Sequence, residues 1–145
     1  MVVPVLLAGL LGGLLTGCSD DPFEAYCETV EEHQTALTEA IAEGGPDALI
    51  SVLPQLRDLR DASPSDVAAD WQQVVGRLSD LAEALEAAGV DPAAYDEDDP
   101  PADLTDEQRL AIEVAARELA REDTVLAFRT VSTQVRDVCQ TPLYR

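Results

Sequence analysis

From residue 22 onward, apolar residues recur at the spacing of amphipathic helices, and this pattern restricts the possible folds more than any other feature. Turn signals separate the apolar stripes at Gly44–Pro46, at Ser63–Asp66 and at Gly89. Pro54 falls inside the second stripe, so we expect a kink or a break there. No segment shows the sustained alternation that strands require. The pattern predicts an all-α fold, a small helical bundle of four to five helices.

An acidic, Pro-rich connection at residues 90–104 interrupts this helical pattern. It contains Tyr95 and the run Asp96–Pro101, and two consecutive prolines cannot lie inside a helix. Thr105 and Gln108 follow with the spacing of a capping box, which predicts that the next helix begins there. We therefore predict one helical domain at 22–145 with an exposed loop at 90–104.

The N-terminal residues predict an export signal. Residues 2–15 form an apolar run that ends at Leu15–Cys18, and the chain becomes acidic at Asp20. The run is shorter than the roughly 20 residues that a membrane-spanning helix needs, and its length suits the apolar region of a signal peptide. Thr16 and Gly17 are small enough for cleavage before Cys18. The alternatives are an ordinary secretory signal or a buried N-terminal helix.

On this interpretation the chain is a lipoprotein. The signal peptide is residues 1–17, Cys18 carries the lipid, and residues 18–21 form the tether. Two or more acyl chains give stable anchoring, so we expect the domain on the outer face of the cytoplasmic membrane. The segment departs from the usual signal pattern because no Lys or Arg precedes the apolar run.

Charge restricts the partners of the domain. The formal net charge is −20, and the nine basic residues are all Arg. Nucleic acid and anionic lipid headgroups repel such a chain, which excludes nucleic-acid binding as a function. The expected partners are the membrane through the Cys18 lipid, and a cationic or apolar envelope protein or small ligand.

The two remaining cysteines, Cys27 and Cys139, lie near the two ends of the mature chain. An exported protein meets oxidising conditions. Because two cysteines remain once Cys18 carries the lipid, we predict one disulfide between the first and last helices. Two buried free thiols are the alternative.

Four motifs together resemble a family of small actinobacterial lipoproteins of uncharacterised function. They are Phe23-x-x-Tyr26-Cys27, Gly44–Leu49, Asp98–Pro101 leading to Leu104–Glu107, and Val135–Leu143. The resemblance covers most of the mature chain. It implies a helical secreted domain with a cysteine pair, and it provides no catalytic residues to carry over.

Candidate catalytic residues are few. His33 is the only histidine, and it stands beside Glu31 and Glu32. A zinc site needs three or four convergent ligands, and a catalytic triad needs partners that only the fold can place. We interpret His33 as a partly exposed helix residue. Trp71 lies in an apolar helical stripe, which favours a core position.

The acidic loop is the remaining candidate site. Asp96, Asp98 and Glu107 match positions 1, 3 and 12 of a calcium-binding loop. Pro100 and Pro101 occupy positions 5 and 6, where that loop needs an oxygen ligand and a glycine, so the match fails. Two interpretations of this loop remain: weak cation binding through Asp96, Asp98 and Asp99, or a solvated loop that binds no cation.

Two classes of function follow. The first is a membrane-anchored helical domain with a non-catalytic binding or structural role in the cell envelope, acting through a groove or the Tyr95 loop. The second is an enzyme, or an auxiliary subunit of one, that uses carboxylates. The sequence favours the first, without cofactor or resident metal, because no acid pair stands out from the general acidity.

Overall fold

The computed structural model describes Asp21 and residues 23–145, and within this part of the chain the fold is all-helical, without a strand. The predicted signal segment 1–17 and Cys18 lie outside the described residues. The six α-helices are α1 (Glu24–Glu43), α2 (Gly45–Ser51), α3 (Leu53–Ala62), α4 (Ala68–Ala87), α5 (Asp106–Leu119) and α6 (Glu122–Cys139). A 3₁₀ turn, Pro92–Ala94, lies between α4 and α5. In the described part of the chain, no helix is long and apolar enough to cross a membrane.

The second predicted helix is divided, and the described residues therefore contain six α-helices rather than four to five. The chain bends at Val52, with φ −103° and ψ 14°, and α3 begins at Leu53. Pro54 therefore lies in the first turn of α3 and not at the break itself. A first-turn residue has no intrahelical partner for its N–H, so proline is tolerated at this position.

Helices α1 and α4 begin without a side-chain N-cap. The Asp21 carboxylate accepts the Phe23 N–H, but α1 begins at Glu24 without a side-chain cap. Ser63 ends α3, and α4 begins only at Ala68, after Val67. The capping box is confirmed: the Thr105 hydroxyl accepts the Gln108 N–H, and the Gln108 side chain accepts the Thr105 N–H.

Helix α4 is the centre of the bundle and contacts α2, α3, α5 and α6. Its apolar residues belong to two clusters. The first joins α1, α3, α4 and α6, and Trp71 and Tyr26 are fully buried in it. The second joins the C-terminal half of α4 to α5 through Leu81, Leu85 and Ile112. Trp71 is therefore a core residue, as the helical stripe predicts.

The buried aromatic pair contains a polar contact. The Trp71 Nε1–H donates a hydrogen bond of 2.7 Å to the Tyr26 hydroxyl. Burial raises the pKa of Tyr26 to about 12, although the hydrogen bond from Trp71 acts in the opposite direction and the nearby Asp66 adds to the rise. The folded chain therefore holds this proton to a higher pH than the unfolded chain does.

We predict alkaline destabilisation that depends on Tyr26. The ordinary pKa of tyrosine is 10.0 and that of folded Tyr26 is about 12, so stability present below pH 10.0 is lost as the pH rises through this interval. Urea unfolding between about pH 9 and pH 12 measures the loss. Tyr26→Phe should flatten this pH dependence, whereas Tyr95→Phe, on the loop, should keep it. Equal slopes for wild type and Tyr26→Phe would contradict the prediction.

The predicted disulfide is present. Cys27, in the first turn of α1, is bonded to Cys139, the last residue of α6, with a Cα–Cα distance of 5.3 Å. The C-terminal tail then runs along α1. Leu143 is buried in the first cluster, and the Thr38 hydroxyl accepts the Arg145 N–H. The disulfide and the tail contacts together hold the C-terminal end of the domain against its first helix, α1.

Candidate binding groove

The loop at residues 90–104 is folded onto the second apolar cluster. Asp91 begins the Pro92–Ala94 turn by accepting the Ala93 N–H, and the Asp96 carboxylate accepts the Asp98 N–H at 2.9 Å. These short-range bonds give the loop a defined path. Tyr95, partly buried, packs against the cluster that joins α4 to α5. The loop thus forms a wall beside the helices rather than an extended linker.

A cavity of about 590 Å³, here called the Tyr95 groove, lies between this loop and helices α2, α4 and α5. Its volume falls within the usual range of small-molecule sites, roughly 300–1,000 Å³. The apolar residues of its lining come from the three helices and the loop and include Ile50, Leu81, Leu85, Ile112 and Ala116. The charged residues of its lining are Asp47, Asp96, Glu97 and Asp98. The groove therefore combines an apolar lining with exposed carboxylates.

A second cavity, of about 390 Å³, lies on α5 and shares Tyr95, Glu97 and Asp98 with the groove. Its lining differs because it also contains Arg109 and Arg117. The Arg109 guanidinium donates to the Leu104 carbonyl, and its Nε is buried without a partner among the described residues. The two cavities therefore adjoin each other, and of the two only the second has basic side chains in its lining.

A smaller apolar cavity, of about 180 Å³, lies between α4 and α6 and is lined by residues that include Val74, Leu78 and Phe128. Thr124 is its one polar side chain, and the Thr124 hydroxyl donates to the Glu118 carbonyl. With no free polar group in its lining, this cavity offers a ligand only nonspecific apolar contact.

His33 lies away from all three cavities. Its Nε2 is 3.1 Å from the Asp58 carboxylate on α3, and 14% of its side chain is exposed. It is a partly exposed helix residue, as interpreted from the sequence, but the acid that pairs with it comes from 25 residues further along the chain rather than from Glu31 or Glu32. This pair has the elements of a base and its orienting acid, without a substrate cavity beside it among the three described above.

The loop carboxylates are exposed rather than gathered around a common point. Asp96, Asp98 and Asp99 all face solvent, and one Asp96 oxygen is occupied by the loop backbone. Among the described residues, no group of three or more His, Cys, Asp or Glu side chains is placed to hold a metal ion. In this arrangement the loop carboxylates therefore do not form a three-ligand metal site among the described residues.

Sequence reasoning identified the Tyr95 loop as a site and missed the residues that complete it. Asp47, Ile50, Leu81 and Leu85 come from α2 and α4, distant in sequence from the loop. Their apolar members belong to ordinary helical stripes, so nothing in the sequence separates groove positions from core positions. Comparison of the chain with protein-family models, curated proteins and solved structures finds no match.

Proposed function

We propose that this chain is a membrane-anchored, extracytoplasmic helical lipoprotein that binds a small ligand in the cell envelope without catalysing its conversion. The Tyr95 groove is the observation that carries the binding function. It has the volume of a ligand site, and its lining places apolar side chains beside several carboxylates that can orient a ligand. The resemblance to small actinobacterial lipoproteins belongs to the same proposal.

The location rests on the sequence and on the cysteine pair. The apolar run ending at Leu15–Cys18 has the pattern of a lipoprotein signal. The Cys27–Cys139 bond is of the kind that forms in oxidising, extracytoplasmic compartments. Both features favour an exported chain whose lipid is attached at Cys18.

A non-catalytic role is favoured by the positions of the titratable groups. The one His–Asp pair, His33 with Asp58, does not line the groove. The carboxylates that do line it are exposed to water. General acid–base catalysis by a carboxylate usually depends on a buried acid, and the carboxylates of the groove are not buried.

Lipid attachment is tested by labelling cells with radioactive palmitate. We expect label in the wild-type protein and in the neighbouring control Ser19→Ala, and none in Cys18→Ala, because the thiol is the acceptor. The wild-type protein should also enter the detergent phase on phase separation. Label that persists in Cys18→Ala, or its absence from wild type, would contradict the anchor.

Ligand binding is tested by native mass spectrometry of the mature protein extracted from envelopes in a mild nonionic detergent. We expect a bound small molecule that is lost in Tyr95→Ala and kept in Leu110→Ala, an exposed control position on α5 outside the three cavities described above. A wild-type protein that carries no bound molecule, or one that Tyr95→Ala retains in full, would contradict the proposed function at this groove.

A further inference from the structure

The charge and apolar lining of the Tyr95 groove restrict the ligand it can accept. The groove contains four carboxylates and no basic side chain. Within the described residues, none of these carboxylates forms an ion pair. The neighbouring cavity on α5 shares Glu97 and Asp98 with the groove but also contains Arg109 and Arg117, whereas Asp47 and Asp96 line the groove alone. A positive charge therefore suits the lining of the groove better than that of the neighbouring cavity.

We propose that the Tyr95 groove binds a small organic cation with an apolar body, an alkyl- or arylammonium compound. This inference rests on the proposed binding function and identifies its ligand class. The apolar body would lie against Ile50, Tyr95 and Ala116, which are partly exposed, and it would remove apolar surface from water on both partners. The ammonium group would face the carboxylates at the edge of the groove.

The carboxylates reach the groove from two different elements. Asp47 lies in the first turn of α2, whereas Glu97 and Asp98 lie on the loop. A cation between them would interact with charges from both elements, and a partly enclosed site strengthens such interactions relative to bulk water. Tyr95 adds an aromatic ring to the same cavity, and aromatic rings attract organic ammonium groups.

Other ligand classes fit the groove less well. An anion would meet four carboxylates in the lining of the groove and a chain with a net charge of −20. A bare metal ion would leave the apolar lining unused, and the described residues place no three ligands together for it. A neutral apolar molecule would fill the apolar part and gain nothing from the carboxylates. An organic cation uses both features.

Three probes of similar length test the proposal: phenylbutylammonium, phenylbutanol and phenylbutyrate, which share a phenylalkyl body and end in a positive, a neutral and a negative polar group. The mature lipidated protein is held in a nonionic maltoside detergent, and empty micelles serve as the blank. Binding is followed by the backbone amide NMR signals of residues 47–50 and 93–98. We expect saturable shifts with phenylbutylammonium, an affinity at least about tenfold weaker for phenylbutanol, and no saturable shifts with phenylbutyrate.

Two double variants distinguish the effect of the groove carboxylates from the effect of the net charge of the protein. Asp47→Asn with Glu97→Gln removes two groove charges and leaves the Asp96 bond that shapes the loop. It should weaken phenylbutylammonium binding at least about tenfold and leave phenylbutanol binding unchanged. The control, Glu28→Gln with Glu39→Gln, removes the same charge from exposed positions on α1 and should bind as wild type does.

The outcomes distinguish this inference from the proposed function. Equal affinity for phenylbutylammonium and phenylbutanol, or equal weakening by both double variants, would overturn the cation specificity while leaving a ligand groove. The absence of saturable shifts with all three probes would overturn the inference, and native mass spectrometry of envelope-extracted protein would still judge the proposed function separately. Unchanged amide spectra of the free variants establish that the fold is retained.

Discussion

Removal of the Cys27–Cys139 disulfide is expected to lower the free energy of unfolding by about 4 kcal/mol. The two cysteines are 112 residues apart, so the bond closes nearly the whole domain into one loop and restricts the unfolded chain strongly. The folded state should change little, because Leu143 and the hydrogen bonds of Gln34 to Thr141 and Pro142 hold the tail independently of the bond.

Urea unfolding of wild type with and without reductant measures this loss. For a domain of this size, about 4 kcal/mol corresponds to a decrease in Tm of roughly 15 °C. Cys27→Ser with Cys139→Ser should match the reduced wild type and should not respond to reductant. A decrease below about 1 kcal/mol would contradict the prediction, as would labelling of both Cys27 and Cys139 in the denatured, unreduced protein.

Trp71→Ala is expected to cost about 3–5 kcal/mol, which is the usual range for truncating a fully buried aromatic side chain. Trp71 is 0% exposed, and it fills the space between α1 and α4. The substitution leaves a cavity and also removes the donor to the Tyr26 hydroxyl, which stays buried. Both the cavity and the lost hydrogen bond lower the free energy of unfolding.

Tyr26→Phe separates the two contributions to the effect of Trp71→Ala. It keeps the ring and removes the hydroxyl, so the indole N–H loses its acceptor and the expected cost is about 1–3 kcal/mol. Val125→Ala, at an exposed position on α6, should change stability by less than about 1 kcal/mol. A Trp71→Ala cost no larger than that of Tyr26→Phe would show that packing around the indole contributes little.

The sequence predicted the helices well because burial at helical spacing determines them. Trp71 and its stripe are in the core, and the capping box at Thr105 is confirmed. The helix ends were less predictable. Asp21 and Ser63 are good N-capping residues, but α1 begins at Glu24 and α4 at Ala68 without a side-chain N-cap, and Ser63 instead lies at the C-terminal end of α3.

Only the loop half of the candidate site could be predicted from the sequence, and the helix residues that complete it could not. Pro and acidic residues made the Tyr95 loop conspicuous in the sequence. Its partners Asp47 and Leu81 are ordinary helix residues until the tertiary fold brings α2 and α4 beside the loop. The contact of His33 with Asp58 depends in the same way on α1 lying against α3. Helical periodicity describes which face is buried, and it does not describe which neighbour buries it.

The length of helix α1 sets the distance between the Cys27–Cys139 disulfide and the groove residue Asp47. The helix has 20 residues and therefore spans about 30 Å, with Cys27 in its first turn and the groove residue Asp47 just beyond its end. Under the proposed lipid anchor at Cys18, this helix would separate the tethered end from Asp47 by roughly one bilayer-core thickness. The disulfide holds Cys139 at the end of α1 that is nearer in sequence to Cys18, and the groove residue Asp47 follows the opposite end of this helix.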